Sequence, residues 1–207
     1  KGLEPVRERP GMYTRTDSPM HIIQEVIDNA ADEALAGFAK NIHVILHGDG
    51  SVTVADDGRG IPVGTHPEEQ VPVVVLAFTR LHAGGKFDKT SGQAAYAFSG
   101  GLHGVGVAVT NALSTRVEVE VRRDGRTHNV VFSENGEKVS ELETGESCGR
   151  QSGTRVRAWP DARYFDSPKL PVAELERLLR SKAVLLSGLT VTLEAEQGGA
   201  AKIWRYP

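Results

Sequence analysis

The sequence predicts an α+β sandwich, a mostly antiparallel mixed sheet with helices packed on one face. Three observations predict it. Strand patterns follow strand patterns instead of alternating with helices, the stretch from residue 116 onward alternates apolar and polar side chains between tight turns, and two longer segments repeat apolar residues at helical spacing. Strands joined by short turns pair antiparallel, so the alternating units of a doubly wound fold are disfavoured.

The elements follow in order. Asp17, Ser18 and Pro19 supply a cap and a first-turn proline, and apolar residues then recur at helical spacing until Gly37, which predicts a helix over 19–35. Residues 41–46 and 51–55 are β-rich and joined by Gly48, Asp49 and Gly50, a hairpin turn suited to positive φ. The pattern over 107–113 is helical and follows a glycine run. Residues 116–123, 127–133 and 138–142 form a meander, with Asp124-Gly125 and Asn135-Gly136 at its turns. Another strand is expected over 153–159, an amphipathic helix with a proline start over 171–186, and a last hairpin from 189–195 and 202–206. Residues 89–97, rich in small and polar side chains, read as a mobile loop.

Composition sets limits on function. The chain has 207 residues, 39% of them hydrophobic and 25% charged, the profile of a water-soluble domain with a real core, and one domain over 1–207 is expected. A net charge of −3 provides no global attraction to a phosphate backbone, so tight nucleic-acid binding by this piece alone is disfavoured. The single cysteine, Cys148, has no partner for a disulfide or a zinc cluster, which fits a reducing cytoplasm. The apolar runs, such as 71–78 and 183–186, are far too short to span a bilayer. The chain opens at Lys1 without a basic and apolar leader, so neither secretion nor a membrane is expected, and the missing initiator Met is read as the mark of an excised fragment.

Three segments could carry chemistry. Glu25, Asp28, Asn29, Asp32 and Glu33 share one arc of the first helix, opposite Ile23, Val26, Ile27, Ala30 and Ala34. Taken alone, such a face is more often a solvated surface than a site. The second strand of the hairpin ends in Asp56-Asp57-Gly58-Arg59-Gly60-Ile61-Pro62. That run is an ordinary Asp-Gly turn, or else a place where a fixed carboxylate accepts a hydrogen bond from an exocyclic amine. Finally, His82-Ala83-Gly84-Gly85-Lys86 and Ser99-Gly100-Gly101-Leu102-His103-Gly104-Val105-Gly106 precede a helical pattern, an arrangement that presents backbone N–H groups to phosphate. The spacing matches neither the P-loop nor the dinucleotide fingerprint, and a flexible glycine loop would look the same.

Taken together and in this order, QEVIDNAADEA at 24–34, DDGRGIP at 56–62, HAGGKF at 82–87, SGGLHGVGV at 99–107 and Gly153-Thr154 resemble the ATPase family shared by DNA gyrase, heat-shock chaperones, histidine kinases and MutL, whose fold is the Bergerat sandwich. RPGMY at 9–13, HPEE at 66–69 and HAGGKF resemble its type II topoisomerase branch in particular. Within that branch the short connection from Tyr13 to Glu25, the QEVID form of the helix motif and Phe165-Asp166-Ser167-Pro168 resemble the topoisomerase IV subfamily more than the gyrase subfamily.

The resemblance implies ATP and Mg²⁺ as cofactors and assigns roles. Glu25 would be the general base for the attacking water and His21, one turn earlier, would orient it; a plain helix-surface histidine is the alternative for His21. Asn29 would be the Mg²⁺ ligand. Asp56 would read the adenine amine, Thr154 would complete that contact through a water, and Glu33 with Arg59 would flank the adenine pocket, unless they are a mere surface pair. Lys86, Gly101, Leu102, His103, Gly104, Val105, Gly106 and Val107 would wrap the phosphates, and Gly60 would line the pocket, with 89–97 as part of a lid that closes over the nucleotide.

The implied partners are DNA and the A subunit of topoisomerase IV in the intact enzyme, a second copy on ATP binding, and aminocoumarin-type inhibitors near Asp56, Arg59 and Arg123. The γ-phosphate lysine of the family comes from a following domain and the exchanging N-terminal arm is largely missing, so weak hydrolysis and a monomer are expected of this piece. The lid is longer than in many relatives and has Ala97 where some carry a polar or basic residue. Two other classes stay open: a histidine-kinase catalytic domain, against which the water-activating Glu25 argues, and a nucleotide-gated binding module without turnover.

Overall fold

A computed structural model describes residues 2–81 and 106–207. Along the chain run α1 (Glu4–Glu8), a 3₁₀ turn (Pro10–Met12), α2 (Met20–Leu35), β1 (Asn41–Leu46), β2 (Val52–Asp56), α3 (Val73–Thr79), α4 (Val107–Ala112), β3 (Ser114–Arg123), β4 (Arg126–Ser133), β5 (Lys138–Val139), β6 (Glu143–Ser147), β7 (Gly153–Pro160), a second 3₁₀ turn (Ala162–Tyr164), α5 (Val172–Leu185), β8 (Thr190–Ala195) and β9 (Lys202–Arg205). Among the described residues the nine strands form one sheet in the order β5-β4-β3-β7-β2-β1-β8-β9, with β6 also on β4. β1 and β8 pair in parallel, and the other pairs are antiparallel. The α+β expectation and the mostly antiparallel mixed sheet are therefore met.

Strand periodicity decides which face is covered. Val117, Val119 and Val121 of β3 are buried while Glu118, Glu120 and Arg122 between them are not, and in β7 Val156 and Ala158 alternate with Arg155 and Arg157 in the same way. The apolar face packs against the helices, because removing that area from water stabilises the fold by roughly 25 cal/mol per Å². Ile22, Ile23 and Ile27 of α2, Val109 and Ala112 of α4, and Leu175 and Leu179 of α5 join the strand valines in one cluster. Phe78 of α3 stacks on Phe132 of β4 with ring centroids 5.3 Å apart.

The predicted boundaries shift in two places. The strand expected over 138–142 stops at Val139, and the chain then runs back along β4 as β6, with Phe132 opposite Val139 but His128 opposite Thr144. All five β6 residues are exposed, so no apolar alternation marks the strand. The short helix α1 also lacked a signal, since it buries only Val6. Residues 165–168 are tied to the loop before α2: Asp166 N donates to Thr16 O (2.9 Å) and Ser167 N to Asp17 O (3.0 Å). Among the described residues no helix is long and apolar enough to cross a membrane.

Candidate functional site

Helix α2 carries the acidic face. That face is not a solvated surface: Glu25 and Glu33 are each 3% exposed, and Asp28 and Asn29 are each 7% exposed. The structure also divides it. Asp28 faces α5, where Lys182 Nζ approaches its Oδ1 at 2.8 Å in an ionic contact rather than an aligned hydrogen bond. Glu25, Asn29 and Glu33, spaced at i, i+4 and i+8, form the line that runs toward the end of β2.

Glu25 is strongly perturbed. Its Oε2 is buried with no hydrogen-bond partner among the described residues. Burial, with the charges of Asp28 and then Asp32 adding to it, pushes the carboxyl up to about 7. His21 Nε2 lies 3.8 Å from Glu25 Oε1, and His21 Nδ1 lies 2.6 Å from Thr14 Oγ1. His21 is itself buried, which overturns the alternative of a helix-surface histidine. Asn29 carries no side-chain hydrogen bond among the described residues, although it is buried.

The far end of the line is a corner made by β2, β7 and the turn after β2. Parity along the strands sets Asp56 on the same side as Val54, and Thr154 on the same side as Val156. Gly58 N donates to Asp56 Oδ1 at 2.8 Å and Ile61 N donates to Thr154 Oγ1 at 3.0 Å. As a residue Asp56 is half-buried. Burial of its carboxyl raises it to about 7 against the opposing hydrogen bond from Gly58, and the charge of Glu33 adds to the rise.

The corner depends on glycine at two points. A Cβ on Gly153 would stand 2.0 Å from Asp56 O, so only glycine lets β7 approach β2 there. Gly60 has φ +85° and a Cβ would meet Arg122 O at 2.9 Å.

Glu33, which is buried, and Arg59, which is half-buried, form a bidentate pair. Arg59 donates from its backbone N (2.9 Å) and Nε (3.2 Å) to Oε2, and from Nη2 (2.7 Å) to Oε1. The guanidinium also lies 3.9 Å over the Phe38 ring. Beside it Arg123 Nη1 donates to Gly60 O at 2.8 Å, and Ser152 Oγ donates to Gly58 O at 2.6 Å, so the turn is held at once from β3 and from the residue just before β7.

Gly106 caps α4, and Val107 is buried in its first turn. Thr110 Oγ1 donates to Ile22 O at 2.7 Å and fixes α4 against the start of α2, on the Glu25 side of the site. Lys86, Gly101, Leu102, His103, Gly104, Val105 and the lid at 89–97 lie outside the described residues. Outside the site, the HPEE stretch builds a turn, in which His66 Nδ1 accepts from the N–H groups of Glu68 (3.3 Å) and Glu69 (3.2 Å). An open cavity of about 440 Å³ borders Asp56 and Thr154, but much of its wall, Ala55, Glu120, Arg122 and Arg155, belongs to the sheet face opposite the helices. It touches the corner at Asp56 and Thr154 but is not lined by Glu25, Asn29 or Glu33.

Sequence reasoning did not single out Thr14, Lys182 or Ser152. Thr14 directly follows the RPGMY motif, which was its only signal; the other two act through contacts between distant segments.

The family model described as "Histidine kinase-, DNA gyrase B-, and HSP90-like ATPase" matches residues 14–163. The chain is 57% identical over 206 residues to the B subunit of DNA topoisomerase 4 from Escherichia coli (strain K12), an alignment covering 99% of this chain and 32% of that protein. It is 48% identical over 200 residues to the B subunit of DNA gyrase from Micrococcus luteus, covering 95% of this chain and 27% of that protein. The chain thus spans about a third of the length of such relatives. Among solved structures, the topoisomerase IV ATP-binding domain of Francisella tularensis, in complex with a small molecule inhibitor, superposes with a TM-score of 0.86 at 43% identity, over 100% of this chain and 54% of that one.

Proposed function

The chain belongs to the family of histidine kinase-, DNA gyrase B- and HSP90-like ATPases, and from this membership we propose that it binds ATP with Mg²⁺ and hydrolyses it to drive the clamp of a type II DNA topoisomerase. The observation that carries the proposal is the line on α2. A buried glutamate with an unpartnered oxygen stands one turn before a buried asparagine, on the helix that reaches the Asp56 corner. A base whose pKa lies near neutrality combines the deprotonated form with useful proton affinity, and positioned bases contribute about 10² to 10⁴ in rate. Glu25 at about 7 fits that task. Oε2 is the oxygen left to accept a proton from water.

Asp56 accepts from the adenine amine, and Thr154, whose Oγ1 already accepts from Ile61 N, retains a hydroxyl proton to give. A guanine, with a carbonyl in place of that amine, would face the carboxylate with acceptor against acceptor, which accounts for selection of ATP. Asn29 fits a Mg²⁺ that takes few protein ligands, because the residue is buried and its amide makes no competing hydrogen bond among the described residues, where no cluster of three His, Cys, Asp or Glu side chains could hold a metal. Bound there, Mg²⁺ would supply positive charge to the phosphate oxygens. Lys86 and the glycines 101–107 are proposed to hold the phosphates, and the lid at 89–97 to exclude water.

Identity to the B subunit of topoisomerase 4 from Escherichia coli, 57%, exceeds the 48% to the B subunit of gyrase from Micrococcus luteus, which favours the first as the parent enzyme. Its partners would then be DNA, the A subunit of topoisomerase IV and, with ATP bound, a second copy of itself, in the bacterial cytoplasm. Aminocoumarin-type inhibitors would compete with ATP near Asp56, Arg59 and Arg123. In the full-length protein Glu25→Ala is expected to retain ATP binding by calorimetry while phosphate release falls at least about 100-fold. Asp56→Asn is expected to lose ATP binding. Unimpaired hydrolysis by the Glu25 variant would sink the proposal.

A further inference from the structure

The RPGMY segment touches none of the chemistry above, yet it has a structural consequence for Glu25. Its 3₁₀ turn closes with Tyr13 N and Thr14 N both donating to Pro10 O, at 2.9 and 3.0 Å. That turn seats Thr14, only 8% exposed, against the start of α2. Thr14 Oγ1 then lies 2.6 Å from His21 Nδ1, and the opposite ring nitrogen faces Glu25 Oε1 at 3.8 Å. A neutral imidazole has one N–H and one lone pair, so whatever Nδ1 does fixes what Nε2 presents to the carboxylate.

The threonine hydroxyl has a single proton. It can go to Nδ1 at 2.6 Å or to Arg15 O at 3.3 Å. Given to Arg15, it would leave the Nε2 lone pair facing the Glu25 carboxylate, acceptor against acceptor. Given to Nδ1, it leaves an N–H facing Glu25; the 2.6 Å contact is kept in both cases, donated by the hydroxyl in this one and by the ring N–H in the other.

We propose that Thr14 is a positioning residue: its hydroxyl donates to His21 Nδ1 and holds the ring in the Nε2–H tautomer, aimed at Glu25. The turn before α2 thereby sets the geometry of the base. The kinetic consequence rests on the reading of Glu25 as that base, whereas the tautomer does not.

Long-range proton–nitrogen correlation spectra at about pH 8, above the ordinary histidine range, should show a protonated Nε2 and a bare Nδ1 in the wild type. Thr14→Val should yield a mixture of tautomers, and Thr14→Ser should restore the wild-type pattern. In steady-state hydrolysis Thr14→Val should lower kcat about 2- to 10-fold, the size of one neutral hydrogen bond, with KM for ATP unchanged and with no further loss when added to His21→Ala. A protonated Nδ1 in the wild type, seen without any substitution, overturns the proposal. So does a Thr14→Val protein with an unaltered tautomer. If Glu25→Ala still hydrolyses ATP, the reading of the site fails instead, and the tautomer result stands apart from it.

Discussion

At the residue scale, the site keeps charged groups in positions that are favourable only while their neighbours stay in place. Glu33 is the clearest case. Its side chain is 4% exposed, and Arg59 supplies the hydrogen bonds that its carboxylate accepts among the described residues. Arg59→Ala should leave the carboxylate buried beside Asp56 with only the backbone N–H of residue 59, which destabilises the fold by about 3 kcal/mol. Denaturant melts of the variant would measure this, and a change below the error of the melt would show that water reaches Glu33. Because Glu33 also raises Asp56, the same variant should weaken ATP binding. Aspartate, glycine and arginine in the run 56–62 were legible as a candidate site in the sequence; that Glu33 of a distant segment supplies the arginine's partner followed there only from family resemblance.

At the element scale, the decisive contact is between β2 and β7. The two strands pair antiparallel with Ala55 opposite Arg155, and just beyond that pair Gly153 lies against the Asp56 carbonyl. Gly153→Ala would place a methyl group 2.0 Å from that oxygen at φ +144°, so the strands must separate where Asp56 and Thr154 meet. Overpacking of this kind should destabilise by about 1–3 kcal/mol, read as a lower denaturation midpoint, and ATP binding should fall more than stability does. Binding at the wild-type level would mean that the corner is not the adenine site. The helix over 19–35 and most strands were evident from periodicity, since α2 carries its apolar residues on one regular face and the meander buries one. β6 was not, because an exposed edge strand has no apolar pattern to read.

Across the molecule as a whole, opposing carboxylates set the response to pH. Glu25 and Asp56 are raised to about 7 from ordinary values of 4.5 and 3.8, so the folded protein retains protons that the unfolded chain has released. Their contribution is therefore lost as pH rises from the ordinary carboxylate range through about 7. Asp57 and Asp161 work the other way. Against the penalty of burial, hydrogen bonds from Asn41 and Lys40 hold Asp57 low, and those from Arg163 and Asn135 hold Asp161 low. Their stabilisation is present above the ordinary value and lost as pH falls through the lowered one. Stability should peak between these limbs, and Glu25→Gln should flatten the alkaline one, gaining about 1–3 kcal/mol at about pH 8 while losing hydrolysis. Equal pH profiles for wild type and variant would contradict the perturbed state of Glu25.

Local patterns in the amino-acid order were enough to establish the fold class, the acidic line on α2 and the order of the nucleotide motifs, because burial of one regular face and the backbone freedom of glycine leave a periodic or compositional trace. It took the folded arrangement to establish that the α2 acids are buried, that Asp28 turns to Lys182 while Glu25 keeps an unpartnered oxygen, and that Thr14 reaches His21. Those outcomes depend on which segments meet across the core, and side chains brought together from distant parts of the chain leave no spacing to read.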